Sequence, residues 1–268
     1  MSRPSPIRSI RRLPGVEIAY LDGTGHAFPK HSHDEFVIGA NIVGRESIWL
    51  DGKSLDASID EVTVVNPGQL QASEAGGRVW RFVSLYVEPE AAWRLAGVRP
   101  GTMLERAIMP SRPHTDAIRR LGAAALDPAV EAAELIEALA VLLAGLFAVP
   151  GADAGPVARR GARPVSPEVA LAAERLRAEW AAPPALDELA GSLGVSPVYL
   201  VRAFNRQHGL PPYAWLNVLR LKEARRRLQD GEAIAGVAAE LGFADQAHLT
   251  RRFKAAFGIT PGAYRRLK

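Results

Sequence analysis

The chain has 268 residues, with 33 Lys and Arg against 29 Asp and Glu, 48% hydrophobic residues and no cysteine. That balance is typical of globular proteins rather than disordered or fibrous ones, and the length predicts about two domains. Without cysteine there is no disulfide framework, no thiolate metal site and no cysteine nucleophile, which fits a reducing compartment.

The charge is unevenly divided. Residues 1–163 carry 18 Lys and Arg against 19 Asp and Glu, whereas residues 164–268 carry 15 against 10, so the positive charge is C-terminal. A basic half joined to a neutral half predicts one part that meets a polyanion and another with a different task. The opening MSRPSPIRSIRRLPG is basic but lacks the apolar core of a secretory signal, so a cytoplasmic protein is expected. The most apolar stretch, 128–150, approaches the length of a membrane span. It is largely Ala and carries Glu131, Glu134 and Glu137, which argues for a soluble helix and no membrane partner.

From about Glu17 to Glu88 the sequence consists of short runs rich in Val, Ile, Phe and Trp, such as EFVIGANIV, ESIWLDGKSL, VTVVNPG and RVWRFVSLYV, separated by Gly, Asp, Asn and Pro. These read as β-strands with tight turns, and Asp51-Gly52 is a two-residue hairpin signal. Strands at such spacing predict a sandwich or barrel. Near Arg112 the texture changes to Ala, Leu and Glu, with Leu135, Leu139, Leu142 and Leu146 forming one apolar helical seam. Two readings of that seam stay open: packing on its own β-domain, or pairing with a second subunit. Residues 150–164, PGADAGPVARRGARP, read as a linker, and everything after them is helical in pattern.

The basic half contains a repeat. LDELAGSLGVSPVYLVRAFNRQHGLPPYAW, residues 186–215, returns as IAGVAAELGFADQAHLTRRFKAAFGITPGAY, residues 234–264. Leu193-Gly194 matches Leu241-Gly242; one residue is then added in the second copy, after which Leu200, Arg202, Phe204, Gly209, Pro212 and Trp215 match Leu249, Arg251, Phe253, Gly258, Pro261 and Tyr264. Each copy reads as helix, glycine turn, helix, with the glycine in the left-handed conformation and, in the first copy, Ser196-Pro197 capping the second helix. That is a helix-turn-helix. Leu200 and Phe204, like Leu249 and Phe253, lie four apart and face a core. A polar, Arg-bearing outer face is left on each second helix, as major-groove readout requires. Between the copies, residues 213–228 form a helix about 24 Å long at 1.5 Å per residue, with Arg225, Arg226 and Arg227 expected to be exposed. Such a spacer suits reading helices placed in successive major grooves roughly 34 Å apart.

GFADQAHLTRRFKAAFGITPGAYRR, residues 242–266, resembles the signature of the AraC/XylS family of bacterial transcription regulators, and residues 165–268 resemble its whole DNA-binding domain. The resemblance implies that Val198, Val201 and Arg202, then Ala247, His248 and Arg251, occupy base-reading positions. The three small apolar residues suit thymine methyls, which leaves Arg202 and Arg251 as the direct readers. Gln246, Thr250, Arg252 and Lys254 are expected on or near phosphate, and Arg206 is a further DNA-binding candidate. Some relatives pair this scaffold with a self-alkylating repair cysteine, which this chain lacks.

In the N-terminal half, Gly25-x5-His31-Ser-His33-Asp-Glu35 resembles the start of a cupin motif, and on a strand His31, His33 and Glu35 could converge on one metal. The rest departs from the metal-binding pattern. Val37 and Ile38 stand where a Glu is wanted, and Gln71 stands where a further His is expected. The family resemblance implies instead a small effector inside a cupin-like barrel, with His31, His33, Glu35, Trp49, Gln71 and Trp80 as lining candidates; the two Trp and the His pair also have plain structural readings.

The expected architecture is therefore α+β and multidomain. It comprises a cupin-like effector-binding β-barrel (1–111), a helical segment assigned to dimerisation (112–149), the linker (150–164) and an all-α DNA-binding domain (165–268) with helix-turn-helix units at 186–208 and 234–257. The expected function is sequence-specific transcription regulation, raising or lowering transcription, with an operator duplex, RNA polymerase, a second copy and an amino acid or other small polar metabolite as partners. No catalysis, cofactor or resident metal is expected. A metal-dependent cupin enzyme fused to a DNA-binding module is the alternative.

Overall fold

The computed structural model describes residues 7–22, 26–77, 79–149 and 166–267. The linker expected at 150–164, and Gly25 of the histidine motif, lie outside them. The chain divides into two compact units, one built on residues 1–158 and the other on 159–256 and 260–266.

Among its described residues the first unit holds ten strands: β1 (Ile7–Leu13), β2 (Val16–Asp22), β3 (Ala27–Ser32), β4 (Phe36–Val43), β5 (Glu46–Leu50), β6 (Lys53–Ala57), β7 (Glu61–Val65), β8 (Leu70–Ala75), β9 (Arg81–Val87) and β10 (Ile108–Pro110). All pair antiparallel, in a six-stranded sheet ordered β1-β2-β9-β4-β7-β10 and a four-stranded sheet ordered β3-β8-β5-β6. The β5–β6 hairpin turns on Asp51 and Gly52, both at positive φ (45° and 95°), as the sequence predicts.

The barrel does not close; the strands form two open sheets. The edges explain why. β10 is three residues long and ends in Pro110, which has no N–H to offer a further strand. β3 carries Pro29 where its pairing with β8 shifts register between Phe28 and His31. β6 presents Lys53, Ser54 and Asp56 exposed to solvent, polar residues that disfavour further pairing at an edge.

Strand alternation sends the two faces of the six-stranded sheet to different tasks. Phe36, Ile38, Val62, Val64, Val83 and Leu85 point away from the smaller sheet into the main core. There they meet α1 (Pro89–Ala96), α2 (Arg112–Ala125) and α3 (Ala132–Phe147). Gly122 lets α2 lie close on β9: a Cβ there would stand 2.3 Å from Val83 Cγ2. Arg119 of α2 donates from Nε and Nη2 to the Asn41 carbonyl, at 3.0 and 2.8 Å.

The leucine seam is spent inside this unit. Leu135, Leu139, Leu142 and Leu146 all belong to the main core and are at most 2% exposed. Packing on its own β-domain is the reading the structure adopts, and the four leucines are not available to a second subunit. The helical region is also two helices rather than one, broken at the Asp127-Pro128 segment.

The second unit is helical: α4 (Pro167–Ala178), α5 (Leu186–Gly191), α6 (Pro197–His208), α7 (Pro212–Gln229), α8 (Ile234–Glu240), α9 (Gln246–Phe257) and α10 (Pro261–Arg266). α5–α6 and α8–α9 are the two repeats. Gly194 and Gly242 take the left-handed conformation between their helices, at φ 67° and 71°. The extra residue of the second copy sits in the turn, since α6 begins three residues after its glycine and α9 four after. Ser196 Oγ accepts from the Tyr199 N–H at 3.2 Å to cap α6, and Asp245 Oδ1 accepts from the His248 N–H at 2.5 Å at the start of α9. In the first copy, Leu189, Leu200, Phe204 and Leu216 pack with Val169, Ala172 and Leu176 of α4. In the second, Val237, Leu241, Leu249, Phe253 and Tyr264 are buried.

Candidate nucleic-acid interface and inter-sheet site

α7 joins the two repeats, and its 18 residues span about 27 Å at 1.5 Å per residue. Two of its arginines are internal. Arg220, 8% exposed, donates through Nε to the Trp180 carbonyl at 2.9 Å and stands over the Phe243 ring, tying the first repeat's side to the second's. Burial pushes its pKa down. Arg225, expected to be exposed, is also 8% exposed and donates to Tyr264 Oη at 3.1 Å. The cause is phase: Leu221, Ala224, Arg225 and Leu228 share the buried face of α7.

Of the remaining described arginines of this unit, Arg177 lies over the Trp215 ring, Arg265 donates to the Glu232 carbonyl and Arg266 is exposed on α10, while the other seven fall into two groups. Arg175 is bound by Glu179 and Glu188, Arg226 by Glu223 and Asp230, and Arg227 by Glu232 and Glu240, at 2.5–2.9 Å. Hydrogen bonds donated to Glu179 and then Glu188 push the Arg175 pKa up, and those donated to Glu232 and then Glu240 do the same for Arg227. By contrast, Arg202 and Arg206 on α6 and Arg251 and Arg252 on α9 are exposed, and among the described residues none has a carboxylate partner. Positive charge left unneutralised on the outer faces of both second helices is an anion-facing arrangement.

Around those arginines, Val198 is 61% exposed, Val201 half-buried, Gln246 and Ala247 exposed, and His248, Thr250 and Lys254 half-buried. Two of these side chains are partly committed to their own helix. Thr250 Oγ1 donates to the Gln246 carbonyl at 2.8 Å, and His248 Nδ1 accepts from the Ala244 N–H at 3.4 Å while its ring meets Phe243. Sequence reasoning passed over Tyr199, which is 44% exposed three residues before Arg202 and seven before Arg206 on the same face; that spacing was the available signal.

In the first unit, the pairing register decides which residues face the space between the sheets. Ile48 and Leu50 of β5 cluster with Val37 and Val65 of the larger sheet, so they point inward. Gln71 lies opposite Leu50 and also opposite His31, which puts both on that inward face. The His31 and His33 rings are 4.9 Å apart, His33 lies 5.1 Å from the Tyr86 ring, and its Nδ1 is 3.9 Å from Glu35 Oε2. His31, His33, Glu35 and Gln71 are thus brought together. Trp80, fully buried, is stacked on Phe82 and donates its indole N–H to Asn41 Oδ1 at 2.8 Å. Phe28 links it to His31, with ring centroids 6.3 and 6.4 Å away. Trp49 is not part of this group: it pairs with Ala72, one step out of phase with Leu50, and on the opposite face of the sheet Lys30 Nζ stands 3.7 Å from its ring centroid.

The three-residue metal set that alternation allowed is not assembled. Among the described residues no group of three or more His, Asp or Glu is placed to hold a metal ion. β3 ends at Ser32, so His33 and Glu35 no longer follow the strand's period of two. A different acid faces inward instead, and the sequence did not mark it. Glu46 starts β5 in phase with Ile48 and Leu50. The residue is half-buried, burial pushes its pKa up to about 7, and a hydrogen bond from Ser73 opposes that shift.

A family model described as an AraC-like ligand binding domain matches residues 13–143, and a helix-turn-helix domain model matches residues 189–267. The chain belongs to the AraC/XylS family of transcription regulators. Among relatives of this AraC/XylS member, YbfI of Bacillus subtilis, an uncharacterised HTH-type transcriptional regulator, is 24% identical over 87% of this chain and 86% of its own length. RhaS of Pectobacterium carotovorum, an HTH-type transcriptional activator, is 40% identical over 25% of this chain and 24% of its own. Among solved structures, an apo ToxT variant from Vibrio cholerae aligns at a TM-score of 0.54 with 13% identity, over 95% of this chain and 98% of that one. Wild-type ToxT bound to an unsaturated fatty acid aligns at 0.52 with 13% identity, over 99% and 97%. The regulator thus combines a ligand-binding domain with a helix-turn-helix DNA-binding domain, and among its described residues no helix is long and apolar enough to cross a membrane.

Proposed function

We propose that this regulator reads an operator through the outer faces of α6 and α9, in two successive major grooves on one flank of the duplex. The observation that carries the reading is the contrast between paired and unpaired arginines. Arg175, Arg226 and Arg227 are each held by two carboxylates, whereas Arg202, Arg206, Arg251 and Arg252 are not held by any among the described residues. Arg202 and Arg251 read guanine edges, Val198, Val201 and Ala247 contact thymine methyls, and His248 reads through its ring edge. Arg206, Arg252, Gln246, Thr250 and Lys254 meet phosphate.

The division of labour that goes with it assigns residues 165–268 to DNA, 1–111 to an effector and 112–149 to support of the sensor. A small polar metabolite such as an amino acid binds between the two sheets against His31, His33, Glu35, Gln71 and Trp80, and alters how the DNA-binding units are presented to the operator. The protein acts in the cytoplasm as a homodimer that recruits RNA polymerase, as an activator and not as an enzyme. Any dimer surface lies outside the leucine seam, which the core has consumed. Footprinting of the full chain on a genomic fragment it binds tests the central reading. Two protected major grooves one helical turn apart on one face are expected, and protection confined to a single groove would overturn it.

A further inference from the structure

The space between the sheets holds an unmatched negative group. Besides Glu35, which stands 3.9 Å from His33 Nδ1, two carboxyl groups face it. Glu17 of β2, opposite Tyr86 of β9, is paired with Arg12 at 2.9 Å. Glu46 is not paired: no cation among the described residues stands within ion-pair distance of it, and Ser73 alone holds it. Its strand neighbours are Ala57 on β6 and Ala75 on β8, which offer it neither charge nor bulk.

Ala75, the cross-strand partner of Glu46, packs against the cluster of Phe28, Trp80 and Phe82. Ser73 is the cross-strand partner of Phe28. The carbonyl of Ala57 accepts from Asn41 Nδ2 at 3.1 Å, and Asn41 in turn holds the Trp80 indole. Trp80 is stacked on Phe82 and edge-on to Phe28. A half-buried carboxyl without a countercharge among the described residues, whose cross-strand partner Ala75 packs against the Phe28, Trp80 and Phe82 cluster, is a combination that favours an organic cation, since the carboxylate supplies charge and the rings supply cation–π attraction.

We propose that the effector carries an ammonium or guanidinium group, which it places between the Glu46 carboxylate and the Phe28, Trp80 and Phe82 rings. This rests on the reading of the inter-sheet space as the effector site. A cation placed there favours the ionised form of Glu46, against the burial that pushes its pKa up, and the proton is released to solvent. The carbonyl of Asn41, on β4, is the acceptor for Arg119 of α2, which links the strand holding the Trp80 indole to the helical layer.

The test uses the full chain labelled at Glu side chains, with benzylamine, benzyl alcohol and benzoate as probes at matched ionic strength. Carboxyl NMR follows Glu46, and calorimetry follows affinity. The expected result is that benzylamine binds at least tenfold more tightly than the other two and drives the Glu46 signal to its ionised position. That preference should be lost in Glu46→Gln and kept in Glu74→Gln, an exposed carboxylate on the opposite face of the same sheet. Equal binding of the three probes, benzylamine binding that survives Glu46→Gln, or failure of benzylamine to move the Glu46 signal would each overturn the proposal. If benzoate or benzyl alcohol bound instead and perturbed Trp80, the effector site would stand while its cationic class fell; if no probe perturbed Trp80 or Glu46, both would fall.

Discussion

Replacing Leu139 by Ala separates an internal seam from a shared one. Leu139 is fully buried in the core between the six-stranded sheet and α1–α3. The substitution removes three carbons. At about 0.8 kcal/mol for each buried methylene-sized group, the transfer loss is about 2.4 kcal/mol. A cavity that collapses only partly adds to it, for a total of about 3–4 kcal/mol within the range of buried Leu→Ala changes. Because every partner of Leu139 lies in the same unit, the loss does not depend on protein concentration. Trp93, packed against the same core, provides the fluorescence signal for denaturant unfolding. The expected result is a lower midpoint for the first unit, with the same shift at low and high protein concentration. A shift that shrinks as concentration rises would mean that the seam is buried by a second subunit, and a loss below about 1 kcal/mol would mean that it is not core at all.

Glu46→Gln should change stability in a pH-dependent way. The folded pKa near 7 lies above the usual 4.5, so the protonated form is favoured by folding. That contribution is complete below pH 4.5 and is lost as pH rises toward 7. Gln should therefore match the parent in acid and exceed it by up to about 3 kcal/mol at pH 8, at 1.4 kcal/mol per unit; a difference in denaturation midpoint that stays constant from pH 5 to 8 would refute the assignment. Gly122→Ala forces a Cβ to within 2.3 Å of Val83 Cγ2, so it should cost about 1–3 kcal/mol despite the better helix propensity of Ala, read as a lower melting temperature of the first unit. On DNA, Lys254→Ala should weaken specific and non-specific sites alike and reduce the salt slope by about one, whereas Arg226→Ala, whose charge Glu223 and Asp230 already neutralise, should change neither.

What the sequence revealed follows from which interactions are local. The repeat was legible because a helix-turn-helix writes its core, cap and glycine within about 20 residues. Leu200, Phe204, Ser196 and Gly194 all do in the structure what their spacing implies. The hairpin at Asp51-Gly52 was legible for the same reason. Strand pairing is not local. β1 was hidden because Ile7, Ile10 and Leu13 lie three apart rather than two, on an edge strand whose register slips between Ile7 and Ser9. The sheets stay open because of Pro29 and Pro110, whose meaning depends on which strands become edges. Among the effector candidates, Trp49 falls on the wrong face by one residue of register, and His33 escapes the strand period because β3 has ended. Glu46 could not be found without knowing that Leu50 and Ile48 point inward, and Arg225 looked exposed until α7 acquired Tyr264 as a neighbour.

The most direct test of the central claim is the affinity of the full chain for its most strongly bound genomic fragment, measured against salt, for the parent and for Arg202→Ala/Arg251→Ala. The two residues are exposed and carry no fold contacts among the described residues, so melting should be unchanged. At about 1–3 kcal/mol for each base-reading arginine, specific binding should fall by at least an order of magnitude while binding to random sequence falls far less. Parent-like affinity with an unchanged salt dependence would show that the outer faces of α6 and α9 do not meet DNA.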